Sequence, residues 1–365
     1  MPGVSGVDSS HGDETGQGGC VSARKDVGAV VIGRNEGLRL DRCLSVLVRD
    51  DFPILYVDSG STDGSVGRVS SFGVRTIVLD AVTPFSAARA RNEGARALCN
   101  EYPELSYLQF IDGDCELADG WIATARQYLE SNPHYAIACG RIRELYADRS
   151  LYNLLCDIEW DTPVGDAAAC GGIFLVRRTA FEQAEGFNPT IVAGEEPELC
   201  YRLRRLGYGI RRLDREMALH DAAMTRFSQW LTRAKRSGHA YAQAFFMHRA
   251  DHEGFGFMQS LKIWVWSVFF PLLVASVAIA VHPGFLWLLV AYPLRLLRIS
   301  ARRYRALPSL KRSVVYGVFT LMAPWPQLAG QLLYIRRRFR SEAVRIIEHK
   351  HGAGASSNHE PYRPE

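Results

Sequence analysis

The sequence predicts an α/β domain, with a mostly parallel sheet flanked by helices, followed by a set of hydrophobic C-terminal helices. The first observation is an alternation of short apolar runs with helical patterns across residues 27–220. Such strand–helix–strand alternation is typical of parallel sheets covered by helices. The second observation is a change of composition after about residue 255, where long apolar stretches are bordered by arginines.

The first half of the chain supplies the predicted strands and helices in order. The runs Gly28–Gly33, Ile54–Val57 and Arg75–Leu79 have the composition of buried strands. Between them, Leu38–Val48 and Ala87–Leu98 carry apolar residues at helical spacing. These segments predict a doubly wound unit, in which ligands bind at the carboxyl ends of the strands.

A further apolar run, residues 107–111, ends on Asp112-Gly113-Asp114. Two carboxylates separated by one glycine can turn toward one hard divalent cation, which could in turn hold the diphosphate of a nucleotide. The alternative is a polar turn that closes the strand, since Asp and Gly are favoured turn residues.

Other polar residues follow the predicted strands or begin the predicted helices. They are Asn35, Glu36, Asp58, Asp63, Arg91, Asn92, Glu195 and Glu196. All of them are expected near the edge of the sheet that carries Asp112.

The net charge and the cysteine content argue against nucleic-acid binding and against a cysteine-bound metal site. The net charge of +4 is too small to indicate nucleic-acid binding, and the eight cysteines include no CxxC pair. No secretory signal is recognisable, so the cytoplasm is the expected compartment. The Gly- and Ser-rich residues 1–26 and the residues 351–365 are expected to be disordered tails.

The C-terminal half carries three apolar stretches. Ile263–Val281 is long enough to span a bilayer, residues 282–284 form a break, and Phe285–Leu294 returns toward several arginines. Val314–Ile335 contains two prolines and precedes four arginines. The positive-inside rule favours a membrane hairpin with cytoplasmic ends and a third segment in the interface. The alternative is a buried helical subdomain. The expected boundaries are 27–225 for the α/β domain, 226–260 for amphipathic connecting helices, 261–300 for the hairpin and 301–350 for the interfacial region.

Residues 27–220 resemble the family 2 glycosyltransferases, inverting enzymes of the GT-A fold. The resemblance consists of the Asn-Glu of the first loop, the segment Val-Asp-Ser-Gly-Ser-Thr-Asp-Gly-Ser, an Ala-Arg-Asn-x-Gly helix start, Asp-x-Asp and a late acidic pair. It implies nucleotide-sugar binding through residues at the matching positions: Asn35, Glu36, Asp58, Asp63, Arg91, Asn92 and Asp112. It also implies that Asp114 binds Mg²⁺ or Mn²⁺.

The family places its catalytic base on an acidic pair commonly written Glu-Asp, which here is Glu195-Glu196 followed by a proline. We expect Glu196 to be the base, with Glu195 second and Glu198 next. The alternative is that the acids only cap a helix.

His220 and two glycines complete the candidate residues. His220 resembles the late histidine that some GT-A enzymes use as a metal ligand, although a structural histidine is the alternative. Gly171 and Gly172 are expected to let the backbone approach the sugar or acceptor, or else to form a bulge in an edge strand. The basic, aromatic segment 226–241 is expected to form an interfacial helix bordering the acceptor site.

The resemblance implies transfer of a sugar, with a UDP-sugar favoured as donor, to a lipid-linked or surface-polysaccharide acceptor. Membrane lipids are further expected partners, and nucleic acid is not. The enzyme is expected at the cytoplasmic face of the inner membrane. A polyprenyl-phosphate glycosyltransferase and a non-catalytic membrane scaffold remain alternatives. A nucleotidyltransferase does not fit, since the first loop lacks the expected glycine-rich, basic sequence.

Overall fold

The computed structural model describes residues 26–249, 254–306 and 308–340. Apart from Asp26, the tails expected at 1–26 and 351–365 lie outside these ranges. The described strands are β1 Val27–Gly33, β2 Ile54–Asp58, β3 Arg75–Val78, β4 Tyr107–Asp112, β5 Cys115–Leu117, β6 Tyr135–Glu144, β7 Gly165–Asp166, β8 Phe174–Arg177 and β9 Gly209–His220.

Helices flank these strands and continue beyond them. Those of the α/β domain are α1 Leu38–Leu47, α2 Ser65–Ser71, α3 Ala87–Glu101, α4 Trp121–Ser131, α5 Leu151–Glu159, α6 Arg178–Gln183 and α7 Glu195–Arg205. They are followed by α8 Phe227–Met247, α9 Phe257–Trp264, α10 Phe270–Ala280, α11 Ala291–Ala306, α12 Leu310–Met322 and α13 Pro324–Phe339. The strands and helices predicted up to residue 112 are confirmed within a few residues.

The strands form one mixed sheet in the order β3-β2-β1-β4-β8-β6-β9-β5, with β7 also paired to β9. Strands β1 to β4 are mutually parallel, as expected for the doubly wound half. The other half is mixed, because β8 runs antiparallel to β4 and β6. Strand β9, which ends at His220, is an inner strand, since it pairs with β6 on one side and β5 on the other. Gly171 and Gly172 lie in the loop before β8 and not in a strand, so they form no bulge in an edge strand.

The core of the α/β domain lies between the sheet and its helices. An aromatic cluster packs beneath the carboxyl end of β4, where the Phe110 ring lies 5.3 Å from the rings of Phe174 and Phe181 and 5.4 Å from that of Phe187. Trp121 is fully buried at the start of α4 and packs there against the sheet. This packing fixes the strand ends that carry the polar residues.

Two helical stretches are long and apolar enough to cross a membrane. They are Phe257–Ala280 and Pro283–Ala306, and only 17% and 0% of their apolar windows are buried. The first contains a π-helical turn at Val265–Phe269, just before Pro271. Proline cannot donate the helical hydrogen bond, so a widened turn there accommodates it. The alternative of a buried helical subdomain over residues 263–335 does not fit the second stretch, because none of its apolar window is buried.

The third apolar stretch forms α12 and α13, and α13 packs closely against α8. Gly238 and Gly330 lie at this crossing, where an added Cβ would collide with the backbone of Gln327 and of Lys235, respectively. Glycine is thus required at both positions for the two helices to touch. The contact joins the C-terminal helices to the helix that leaves the α/β domain.

Candidate active site

The carboxyl ends of three parallel strands meet at one edge. Register pairs Gly33 of β1 with Asp58 of β2, and Ile32 of β1 with Asp112 of β4. The loops that follow these strands therefore lie side by side. This edge therefore carries Asn35, Asp58 and Asp112, as the alternation of strands and helices predicted.

Asn35 and Asp58 join the first two loops. The Asn35 side-chain oxygen accepts a hydrogen bond from the Thr62 amide at 2.7 Å, and the Asn35 amide donates to Ser61 Oγ at 2.9 Å. The fully buried Asp58 accepts from the amides of Gly60 and Ser61 at 2.9 and 2.7 Å. These bonds fix the shape of the loop pair.

Two further predicted residues support the same loops. Asp63 accepts from the Ser65 amide at 3.0 Å and from its hydroxyl at 2.6 Å, and these bonds lower the pKa of Asp63 against the opposing effect of burial. Glu36 is 8% exposed and pairs with Arg39 at 2.9 Å. Both residues lie where the first two loops meet.

Arg91 lies at the centre of a buried charge cluster. Its side chain is 2% exposed and its nitrogens lie 2.9 Å from Asp112, 3.0 Å from Glu195 and 3.5 Å from Glu196. The guanidinium also sits over the Phe187 ring, 5.4 Å from its centroid. One cation thus faces three carboxylates from two separate parts of the chain, a geometry suited to the planar fork of arginine.

Asn92, the next residue on α3, contacts protein backbone. Its side-chain nitrogen donates to the Phe187 carbonyl at 2.7 Å, and its oxygen accepts from the Phe187 amide at 2.9 Å. These two bonds hold the Phe187 loop against the aromatic cluster and beneath Arg91. Asn92 therefore acts on the shape of the site through Phe187.

The three glutamates at the start of α7 have different surroundings. Glu195 is 5% exposed and bonded to Arg91, whereas Glu198 is 2% exposed and bonded to Arg202 at 2.8 Å and His248 at 3.2 Å. Glu196 is 17% exposed and lines an open cavity. Burial raises the pKa of Glu196 to about 7, helped by Glu195 and opposed by Arg91. Of these three, Glu196 has the most exposed carboxylate at the cavity.

Gly171 and Gly172 form the wall opposite Glu196. Gly171 has a φ of +79°, which favours glycine. A Cβ at Gly172 would lie 2.9 Å from Asp112 Oδ2 and 3.2 Å from Glu196 Oε1. Because Gly172 has no side chain, the cavity stays open between the carboxylates of Asp112 and Glu196.

Asp114, Cys115 and His220 come together beside the cavity because β5 pairs with β9 in a register that places Cys115 opposite His220. His220 Nε2 lies 3.0 Å from Asp114 Oδ2, and one ligand atom from each of the three residues lies within 4.8 Å of the others. His220 lines the cavity, whereas the Asp114 side chain is buried behind it. Carboxylate and imidazole together suit Mn²⁺, so this donor set fits a divalent cation.

The cavity has a volume of about 410 Å³ and extends from the strand ends to α8. It is also lined by Trp160 and by three residues of the segment 226–241, namely Arg233, Arg236 and Tyr241. Trp160 stacks on His220 with centroids 4.5 Å apart. Neither Trp160 nor Cys115 was predicted, and no local pattern in the sequence identifies them, since both reach the site through distant strand pairing and packing.

Comparisons with known proteins found solved structures that are similar to this chain. A mannosyltransferase from Pyrobaculum calidifontis, solved in complex with GDP-Man and Mn²⁺, is 16% identical, with a TM-score of 0.55 over 84% of this chain and 87% of that chain. Glucosyl-3-phosphoglycerate synthase from Mycobacterium tuberculosis, solved with Mn²⁺, UDP-Glc and phosphoglyceric acid, is 17% identical, with a TM-score of 0.41 over 60% of this chain and 78% of that chain. No curated protein sequence matched.

The first of these structures shows that the predicted GT-A fold is present. A model of the family described as "Glycosyl transferase family 2" matches residues 29–183, which include the strand ends, Arg91, Asp112, Asp114 and the two glycines. Over residues 29–183, which make up less than half of its length, this chain is similar to glycosyl transferase family 2.

Proposed function

We propose that this protein is an inverting glycosyltransferase that moves a sugar from a nucleoside-diphosphate donor, with a UDP-sugar favoured, to a lipid-linked or surface-polysaccharide acceptor at the cytoplasmic face of the membrane. The observation that carries the proposal is the cavity itself. It brings Glu196, Asp112 and His220 to one space, next to the buried Asp114.

The donor side is formed by the loops at the strand ends. Asn35, Glu36, Asp58 and Asp63 shape the pocket for the nucleotide, and Asp112 is placed to meet the ribose. Asp114 and His220 would hold Mg²⁺ or Mn²⁺, and a divalent ion there stabilises negative charge on the leaving diphosphate. The P. calidifontis enzyme was solved with a nucleotide sugar and Mn²⁺, which supports this assignment.

The acceptor side is formed by Glu196, the two glycines and α8. A hydroxyl oxygen of the acceptor attacks the anomeric carbon while the bond from that carbon to the diphosphate oxygen breaks. Glu196 accepts the hydroxyl proton, and the nucleoside diphosphate leaves with the bonding electrons. A carboxylate whose pKa lies near 7 is well matched to this task at neutral pH. Gly171 and Gly172 let the sugar or acceptor lie against the backbone.

The substitution Asp114→Asn tests the cation site. The amide is a poorer ligand than the carboxylate, so Mn²⁺ should no longer strengthen nucleotide binding, while the fold is kept. The measurement is UDP and GDP affinity of the purified full-length protein with Mn²⁺ and with EDTA. The exposed Asp119 offers a matched control, and Asp119→Asn should retain the Mn²⁺ effect. An unchanged Mn²⁺ effect in Asp114→Asn would remove this residue from the site.

Membrane attachment is tested on the full-length chain. The two apolar helices expose large side chains such as Leu272 and Ile279 of the first, at 59% and 88%, and Leu297 of the second, at 64%. If these helices enter the bilayer, the protein should sediment with membranes and stay there in high salt and at alkaline pH, since apolar insertion is insensitive to screening. Release by salt alone would show an electrostatic, peripheral attachment through the arginines.

A further inference from the structure

A second cavity, of about 450 Å³, lies between α5, α8 and the C-terminal helices. It shares Arg233, Ser237 and Tyr241 of α8 with the active-site cavity. These residues are four positions apart, so they lie on one helix face over roughly 12 Å. The same face of α8 therefore connects the space in front of Glu196 with a space bounded by the apolar helices.

The second cavity is positively charged. Arg233, Lys262 and Arg295 line it together with a single acid, Glu159. Glu159 is already paired with Arg233 at 2.5 Å. Lys262 and Arg295 make no ion pair with any residue within the described ranges. The cavity thus presents two uncompensated cations, which favour an anionic ligand.

The surroundings of Arg295 are a second, independent observation that supports an anionic ligand in this cavity. It belongs to the apolar stretch Pro283–Ala306, and its guanidinium lies 4.3 Å from the centre of the Trp266 ring. Its Nη1 atom is buried and finds no hydrogen-bond acceptor among the residues that the structure describes. An ionisable group in an apolar helix, held by an aromatic ring with one donor unused, marks a functional site. Phosphate oxygens are among the acceptors that a guanidinium binds most strongly, because they accept two parallel hydrogen bonds from it.

We propose that this cavity binds the phosphate group of a lipid-linked acceptor and holds it there while a hydroxyl further along the acceptor reaches Glu196. The phosphate is then an anchoring group, and the hydroxyl is the nucleophile. The apolar part of the acceptor continues along the exposed helices Phe257–Ala280 and Pro283–Ala306. This inference rests on the proposed function and selects among its acceptors, since a neutral polysaccharide would leave both cations without a partner.

The test uses the full-length protein in a non-ionic detergent, with farnesyl phosphate and farnesol as probes. Trp266, which lies against Arg295, reports binding through its fluorescence. Farnesyl phosphate should bind about tenfold more tightly than farnesol, and Arg295→Gln and Lys262→Gln should each remove most of this difference. Because Lys262 is exposed, its variant keeps the fold. Arg298→Gln removes the same charge from a residue of α11 outside the cavity, and should have no effect.

Several results would overturn the proposal. They are equal binding of the two probes, a phosphate preference that survives both cavity variants, and a loss of preference in Arg298→Gln. Displacement of farnesyl phosphate by equimolar inorganic phosphate or phosphatidylglycerol would assign the site to a free anion or to bulk lipid. UDP affinity with Mn²⁺ is measured on the same samples. If the phosphate preference is found and UDP does not bind, the anchoring site stands and the glycosyltransferase function fails.

Discussion

Glu196→Gln should lower turnover by roughly two to four orders of magnitude while leaving the affinity for the nucleotide sugar nearly unchanged. Glutamine keeps the volume of the side chain and can still accept a hydrogen bond, but it cannot take the proton of the acceptor hydroxyl. The loss should therefore fall on the chemical step. The measurement is turnover with a donor identified by screening nucleotide sugars for stabilisation in the presence of Mn²⁺.

Glu195→Gln provides the comparison. Glu195 is 5% exposed and bonded to Arg91, so its substitution should weaken the cluster without removing the base. We expect a milder loss of turnover for it. If Glu195→Gln were the inactive variant, or if both variants kept full turnover, the base would lie elsewhere. Glu198 is the next acid on α7, but its bonds to Arg202 and His248 turn it away from the cavity.

The donor half of the site was predictable because its determinants are local. Each of β1, β2 and β4 is an apolar run that ends in small and polar residues, and parallel strands must place those ends at one edge. Asp58 and Asp112 could thus be assigned to the same cleft from the sequence. The acids at 195–198 were likewise predicted to begin a helix, and α7 begins at Glu195.

The other half of the site, which includes His220, depends on pairing between strands that are distant in the sequence. His220 reaches Asp114 only because β5 and β9 are antiparallel neighbours, in a register that pairs residues 115 and 220. Sequence patterns carry no information on this register, so the contact between His220 and Asp114 could not be derived from the sequence. Cys115 joins the group through the same register, although its spacing from the other cysteines indicates no metal site.

Arg91 shows a second limit of prediction from the sequence. The family resemblance implied that Arg91 binds the nucleotide sugar, yet its contacts are three carboxylates of the protein and the Phe187 ring. A buried arginine with these partners orients the acids around it. We therefore expect Arg91 to position Glu196 and to set the pH at which it works.

Arg91→Lys tests this role. Lysine keeps the positive charge, but its ammonium group cannot bond to three carboxylates as the planar guanidinium does. The ionised form of Glu196 is therefore stabilised less. Arg91 opposes the effects of burial and Glu195, which raise the pKa of Glu196, and weakening it should raise that pKa further above about 7. Only ionised Glu196 accepts a proton. If the pKa of Glu196 rises by roughly one from about 7, the ionised fraction at pH 7 falls from about one half to about one tenth. Turnover should therefore fall about fivefold at pH 7 and should recover at higher pH.

The acid limb of the pH–rate profile is the decisive measurement, because a general loosening of the fold would lower turnover equally at every pH. The wild-type limb is expected near pH 7 and the Arg91→Lys limb above it. Arg89→Lys serves as the matched control, since Arg89 lies on the same helix and pairs with Asp80 at 2.6 Å, away from the cavity. Its profile should coincide with that of the wild type. A limb that stays near pH 7 in Arg91→Lys would show that the cluster holds the structure together without tuning the base.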